Sequence, residues 1–419
     1  MSEYVVRTLP GGLRVVVEEI PHVRSASIGV WVGAGSRFET LGEAGVSHFI
    51  EHLLFKGTER RTAKQIAEEM DALGGSLNAF TAKEQTCFYT KVLDEHVGDA
   101  LDLLSDMVLH SVFDDTELEK EKGVILEEIK MYEDTPDELV HDLLAEQAWL
   151  GHPLGRVIIG TAPVVETLDR SRVLDYFGRF YRAGNVVVAV AGNVRADEVV
   201  GAVARAFAAL PEGRVNRGGT PARVHTGREL RPKDSEQVHF CLGLPGVPQD
   251  HDEMYPLHVL NAILGGGSSS RLFQEIREER GLAYSVYSYL SLYRDSGLLT
   301  VYAGSSPEAA PEVLQLTMDE LERLGHGAAT EEEVERAKNQ MKGQLVLGLE
   351  STSNRMTRLG RSLLSRGRVQ TVDEVMAKVT SVTLASVNEL AERLLDSQGV
   401  ALAAIGPDLE RLTDIPLAF

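Results

Sequence analysis

The sequence predicts an α+β fold of two tandem, similar domains, and three observations lead there. The first is length: 419 residues predict two to three domains. The second is an internal echo. Each half runs through a strand pair, a helix, a strand-rich stretch, long helices and a closing strand. Thr116-Glu117-Leu118-Glu119 is echoed by Thr330-Glu331-Glu332-Glu333, and the run from Val186 to Val190 by the run from Val400 to Ile405. The third is the stretch from Glu212 to Arg228, rich in Gly and Arg and without apolar periodicity, which reads as a linker. These place an N-terminal domain at 1–211, a linker at 212–228 and a C-terminal domain at 229–419. The plainer alternative for 212–228 is a surface loop inside one domain.

The first helix carries the densest chemistry. Val46, Phe49, Ile50, Leu53 and Leu54 recur at the spacings of one buried helical face. His48, Glu51 and His52 fall opposite that stripe, within an arc of roughly 100°. Their order, H-x-x-E-H, inverts the H-E-x-x-H zinc signature. His48 and His52 stand one turn apart, as two ligands of one metal require. Glu51 precedes the second ligand by one residue, so it can face a water and not the metal. Gly57 is expected to end this helix. The plainer alternative is a solvated polar face.

A third ligand is sought in the helix from Thr116 to Glu133. Thr116 with Glu119 is expected to make a capping box. Leu118, Val124, Ile125 and Ile129 form the expected apolar face, with Glu121 and Glu128 inside its arc and Glu119 and Glu127 outside. A buried carboxylate needs a partner, and a shared cation such as zinc fits Glu121 and Glu128. A charged surface paired by Lys120 and Lys122 would explain Glu117 and Glu119 only. His96, His110, His141 and His152 are rival ligands, each isolated.

The remaining composition narrows the function classes. A net charge of −21 and a pI near 5.0 disfavour nucleic-acid binding. In an enclosed site such charge attracts basic, extended peptides; it equally serves solubility. Two cysteines, Cys87 and Cys241, make no disulfide framework, which fits a reducing cytoplasm. Met1 to Glu19 reads as strand, with no basic segment followed by an apolar core, so no signal peptide is expected. No apolar run reaches about 18 residues, so no membrane span is expected.

On these residues the chain resembles the M16 (pitrilysin-type) zinc peptidases, inverzincins of the short-subunit branch that includes the mitochondrial processing peptidase. The resemblance extends over essentially the whole chain. It implies a processing-peptidase-like fold, each domain an antiparallel sheet packed with helices and the chain forming half of a clamshell. It implies zinc held by His48, His52 and Glu128, Glu51 as general base, and Glu121 supporting the site from behind. Gly74 to Thr81 (GGSLNAFT) is similar to the family's edge strand, which makes Asn78, Ala79 and Phe80 substrate-binding residues through strand addition. His152 to Arg156 and Ile159 to Thr161 are also similar to family segments. In the second half, Gly265 to Ser268, Arg271 to Phe273, Arg277 and Tyr284 resemble the region of the family's Arg/Tyr pair, and the resemblance implies that this pair holds the substrate and stabilises the transition state. Read without the family, Arg277 is a helix-end cation and Tyr284 a strand-packing residue. The second half has His258-Val259-Leu260-Asn261-Ala262 where the first has its metal motif, so it is expected to be a copy without metal.

The expected function is a zinc-dependent endopeptidase acting on unfolded, basic peptides or presequences in a dimer chamber. A homodimer would be self-sufficient, Arg277 and Tyr284 of one copy serving the other's zinc; a heterodimer with a paralogue is the variant. The rivals are a non-catalytic structural or substrate-recognition subunit, and a zinc hydrolase acting on small molecules.

Overall fold

Runs of β-branched and small residues decide which strands are central. The computed structural model describes residues 4–395 and 399–418. Met1 to Glu3, the start of the expected first strand, lie outside the described residues. Among the described residues the first sheet contains β1 (Tyr4–Thr8), β2 (Arg14–Glu19), β3 (Ser25–Val32), β4 (Ser76–Thr81), β5 (Thr86–Leu93) and β6 (Val186–Gly192), in the order β1-β2-β6-β3-β5-β4. β6 (VVVAVAG) is buried along its whole length, as expected of a strand covered on both faces. β4 (SLNAFT), partly exposed throughout, is an edge.

The second sheet repeats the plan. It holds β7 (Gly227–Pro232), β8 (Val238–Pro245), β9 (Ala283–Leu292), β10 (Gly297–Ser305) and β11 (Ala401–Gly406), in the order β7-β11-β8-β10-β9. β6 and β11, the two echoed apolar runs, take the same place. Each pairs parallel with the strand on one side and antiparallel with the strand on the other. So each sheet is antiparallel except for one parallel pair.

Contacts divide the chain into two units that are not contiguous. One takes the stretch ending at Ile129 together with Val157–Gly218 and Val346–Gln370. The other takes Lys130–Arg156, Gly219–Leu345 and the stretch from Thr371 onward. The sequence bounds 1–211 and 229–419 differ from this in one respect: each unit borrows a helical segment from the other half. The stretch 212–228 does contain a crossing, between Gly218 and Gly219, and its last two residues already belong to β7. The chain is irregular through Pro211–Thr226.

The borrowed helices cover the sheets. In the first unit, the helix Thr352–Arg366 lies on β3 and β6, with Met356, Leu359 and Leu363 against Trp31, Cys87 and Val187. Two glycines permit the approach. A Cβ on Gly360 would stand 2.1 Å from Trp31 Nε1, and one on Gly29 would stand 2.3 Å from Met356 Sδ. The Trp31 indole N–H in turn points to Met356 Sδ at 3.4 Å. In the second unit, the helix Pro136–Ala148 lies on β8 and β11 through Leu139, Val140, Leu143 and Leu144. The opposite face of each sheet holds that unit's largest apolar cluster.

Several local expectations are corrected. The helix of the metal motif spans Val46–Leu53 and ends before Gly57, which instead bridges to Thr62 at φ 123°. The next acidic helix, Asp115–Glu133, is capped by Asp114, which accepts from the N–H groups of Thr116 and Glu117 at 2.9 and 3.2 Å. The expected Thr116–Glu119 box is therefore replaced by an earlier cap. Its echo is a real box: Thr330 and Glu333 exchange side-chain and backbone bonds at 2.9 and 3.3 Å. Val124 is 49% exposed and does not belong to the apolar face. No helix among the described residues is long and apolar enough to cross a membrane.

Two helical glycines should respond oppositely to alanine. Gly→Ala adds about 1 kcal/mol of helix propensity, and overpacking a filled core costs about 1–3 kcal/mol. Gly123 has nothing within 4 Å of its would-be Cβ, so Gly123→Ala should raise the urea midpoint. Gly360→Ala should lower it, because the new methyl collides with the buried Trp31 ring. A raised midpoint for Gly360→Ala would mean that the helix does not seat on the sheet.

Candidate metal centre

The histidine helix is only eight residues long, Val46–Leu53, too short to hold itself in water. Burial does part of the work: Val46, Phe49, Ile50, Leu53 and Leu54 are each at most 1% exposed. Its N-terminal end needs an acceptor from elsewhere. The N-cap is Gly45, at φ 95°, and it has no side chain to accept from the first turn. A Cβ there would also lie 2.6 Å from the carbonyl oxygen of Ile159, so the Ile159–Gly160 segment packs on the helix start. Glu39 supplies the missing acceptors. Its two carboxylate oxygens take the N–H groups of Gly45 and Ser47, each at 2.8 Å. Ser47 Oγ then donates to Tyr176 Oη at 2.8 Å, and Tyr176 donates to the carbonyl of Gly35. Burial pushes the Glu39 carboxyl up to about 7, against the bonds from Ser47 and Gly45 that pull it down.

Past the helix, a charged knot fixes the following turn. Thr58, Arg60 and Arg61 all bond Asp106, at 2.7, 2.9 and 2.7 Å, and both arginines also reach Asp102.

On the polar face, His48 and His52 meet Glu128 of the helix Asp115–Glu133. His48 Nε2 lies 3.9 Å and His52 Nε2 3.8 Å from Glu128 Oε2, with the two rings 4.6 Å apart between centroids. One ligand atom from each of the three residues falls within 4.8 Å of the others. Among the described residues this is the one cluster of three or more His, Cys, Asp or Glu side chains with that convergence. The rival histidines do not join it; His141, for example, bonds the Tyr289 hydroxyl at 2.7 Å.

The donor set fits zinc. Two imidazoles and one carboxylate leave a fourth position open, and ligands about 2.0–2.1 Å from one ion sit roughly 3–4 Å from each other. Burial, then the neighbouring His52, pushes the His48 imidazole down to about 4, so it is neutral and able to coordinate near pH 7. The arc predicted for the glutamates also holds in part. Glu121 is buried and Glu128 partly so, while Glu119 and Glu127 are exposed. Their shared partner is His52, held on both sides: Nε2 faces Glu128, and Nδ1 lies 3.1 Å from Glu121 Oε2. The other oxygen of Glu121 lies 2.7 Å from Lys56 Nζ.

Glu51 shares the polar face. Its Oε2 is buried with no hydrogen-bond partner, as is His48 Nδ1. Burial raises the Glu51 carboxyl above its ordinary value, with Thr81 and His52 pulling it back and Glu128 adding to the rise. A buried acceptor left unpaired is costly, and here it stands in the electrostatic field of His52 and Glu128. Asn78, Ala79 and Phe80 lie on β4, whose one strand partner is β5, leaving its other edge open among the described residues.

In the second unit Arg277 and Tyr284 come together. Arg277 Cζ stands 4.7 Å from the ring centroid of Phe273 and 4.7 Å from that of Tyr284, a cation held between two aromatic faces. Arg277 sits in a π-helical turn, Phe273–Glu279, and Tyr284 near the start of edge strand β9, 77% exposed. The two line a cavity of about 340 Å³ together with Gly265, Gly266, Phe273 and Ser288.

Two contributors escaped the sequence reading, Glu39 and Lys56, and Phe273 was named there without its stacking on Arg277. Lys56 follows His52 by four residues and Phe273 precedes Arg277 by four, so helical spacing could have flagged both. Glu39 gave a weaker signal, a carboxylate shortly before a helix whose N-cap is glycine.

Comparison with known proteins gives the family. Residues 14–162 match the family model described as insulinase (peptidase family M16), and residues 167–341 match the peptidase M16 inactive domain. The chain belongs to the M16 peptidase family. It is 46% identical to YmxG of Bacillus subtilis (strain 168), named an uncharacterized zinc protease, over 96% of this chain and 97% of that protein. It is 44% identical to an uncharacterized zinc protease of Streptomyces coelicolor, over 96% of this chain and 89% of the relative. Two solved structures, each 22% identical, share the fold. A peptidase M16 inactive domain from Pseudomonas fluorescens superposes with a TM-score of 0.90 over 97% of this chain and 98% of its own. A protease from Helicobacter pylori does so with 0.92 over 97% and 100%.

The Glu39 cap makes a test of sign. A folded-state carboxyl raised to about 7 takes up a proton on folding. Its stabilising contribution is full below about 4.5 and is lost as pH rises through 7. Glu39→Gln loses one acceptor and should destabilise by about 1–3 kcal/mol. Its deficit in metal-free protein should shrink between pH 5 and pH 8, because only the wild type loses stability there. A deficit that grows over this range would show that the carboxylate is the favoured form.

Proposed function

We propose that the chain is a zinc-dependent endopeptidase that cleaves unfolded peptides or presequences. One observation carries this: His48, His52 and Glu128 converge while Glu51 holds an unpaired buried carboxylate oxygen on the same helix face. When bound, zinc polarises the scissile carbonyl and makes water acidic near neutral pH.

The residues divide the remaining work. Glu51 takes the proton from the attacking water and delivers it to the leaving amine. A carboxyl raised by burial is closer to the pKa such a shuttle wants. Asn78, Ala79 and Phe80 offer an open strand edge, to which an extended peptide adds through its backbone. That mode needs an unfolded segment and reads little sequence. Arg277 and Tyr284 donate hydrogen bonds to the oxygen on which charge develops, their side chains set by stacking. In a homodimer this pair serves the partner's zinc, and the acidic surface, with a net charge of −21, draws in basic peptides. We place the enzyme in the cytoplasm.

The test pairs metal content with cleavage of a basic unfolded peptide, for wild type and Glu51→Gln. About one zinc per chain is expected in both, with cleavage reduced about 10²–10⁴-fold in the variant. Zinc in both proteins and no cleavage by either would favour the non-catalytic subunit; no zinc even after its addition would sink the reading. Sharing across the dimer has its own check. Co-assembled Glu51→Gln and Arg277→Ala chains, each inactive alone, should regain activity through the heterodimer, which holds one intact site. No recovery in a verified heterodimer would rule sharing out.

A further inference from the structure

We propose that Lys56 is a positioning residue of the metal centre: it occupies one oxygen of Glu121, leaving the other for His52 Nδ1, and so fixes the ring that presents His52 Nε2. The inference rests on the zinc reading above.

The side chain of Glu121 is 6% exposed, and its two oxygens are divided between two partners. Oε1 lies 2.7 Å from Lys56 Nζ, and Oε2 lies 3.1 Å from His52 Nδ1. The terminal torsion of a glutamate is soft and roughly two-fold. Without a second partner, the carboxylate can turn and blur the direction from which it holds the imidazole. An ammonium is a point donor that takes one oxygen; the oxygen left over is the one at His52. Lys56 reaches the site because the chain keeps turning after the helix: its N–H bonds the carbonyl of Leu53 at 3.0 Å. It therefore falls four residues beyond His52 and on the same side. The other ring has no such support, because His48 Nδ1 is buried without a partner. The orientation of the pair of rings is thus fixed from behind through His52 alone.

A plain charge-balancing role would also put a lysine beside a buried carboxylate. The two roles separate under Lys56→Arg. Arginine keeps the charge, but its planar fork matches both carboxylate oxygens at once, which takes Glu121 away from His52. Partners behind a metal-bound histidine typically change metal affinity 10–100-fold.

The experiment measures zinc affinity of the full chain by competition with a chelator. It compares wild type, Lys56→Met, Lys56→Arg, Glu121→Gln and the double variant Lys56→Met/Glu121→Gln. The visible spectrum of each cobalt-loaded protein gives a second readout of ligand geometry. Expected are an affinity loss of about tenfold for Lys56→Met and a loss of similar size for Lys56→Arg. A changed cobalt spectrum should accompany both, and the double variant should bind no worse than Glu121→Gln alone. If Lys56→Met does not fold, Lys56→Arg and the double variant decide. Full affinity in Lys56→Arg, or losses that add in the double variant, would overturn the proposal. A wild type that binds no zinc would overturn the zinc reading, and this proposal with it.

Discussion

A helix of two turns cannot hold itself straight or aim its side chains, so the candidate metal centre depends on what grips the helix Val46–Leu53. Carboxylates do so from outside its own sequence. Glu39 takes the free N–H groups at its start. Of Glu121 and Glu128, seven residues apart on one neighbouring helix, Glu121 bonds His52 Nδ1 and Glu128 faces Nε2 at 3.8 Å. The apolar side is fixed by burial alone, and the polar side by charge. Remove the carboxylates and the two imidazoles remain, but without a defined direction.

The same economy appears in the sheets. Two sheets that share a five-strand order, the first with β1 added at its edge, are each completed by a helix from the other half of the chain. The histidine helix and the π-helical turn of Arg277 each lie beside an edge strand, β4 and β9, at the same end of their sheets. The candidate site residues therefore sit at corresponding edges of a repeated frame.

Local pattern made much of this legible. The H-x-x-E-H spacing and the apolar stripe opposite it placed three side chains on one face. Helical projection separated Glu121 and Glu128 from Glu119 and Glu127, seventy residues downstream. What stayed hidden is non-local. Val124 looks apolar and lies at the right angle, yet nothing covers it enough to bury it. Asp114 displaced the expected cap because a residue two positions earlier was better placed. Glu39 became a cap only because Gly45 leaves the helix start without one. The bounds of the units could not be drawn as two contiguous blocks, since no periodicity in Thr352–Arg366 says which sheet it will cover.

That borrowed helix bears on how the chain is born. A protein emerges from its N-terminus, and its domains ordinarily fold in that order. Here the sheet beneath the histidine helix keeps one apolar face, with Trp31 at its centre, bare until Thr352–Arg366 has been made. The first unit can therefore not close while the ribosome is still working through most of the second. The candidate ligands His48, His52 and Glu128 come from the first third of the chain, but their frame is completed by residues near the end. A site built this way stays unfinished until translation is nearly over.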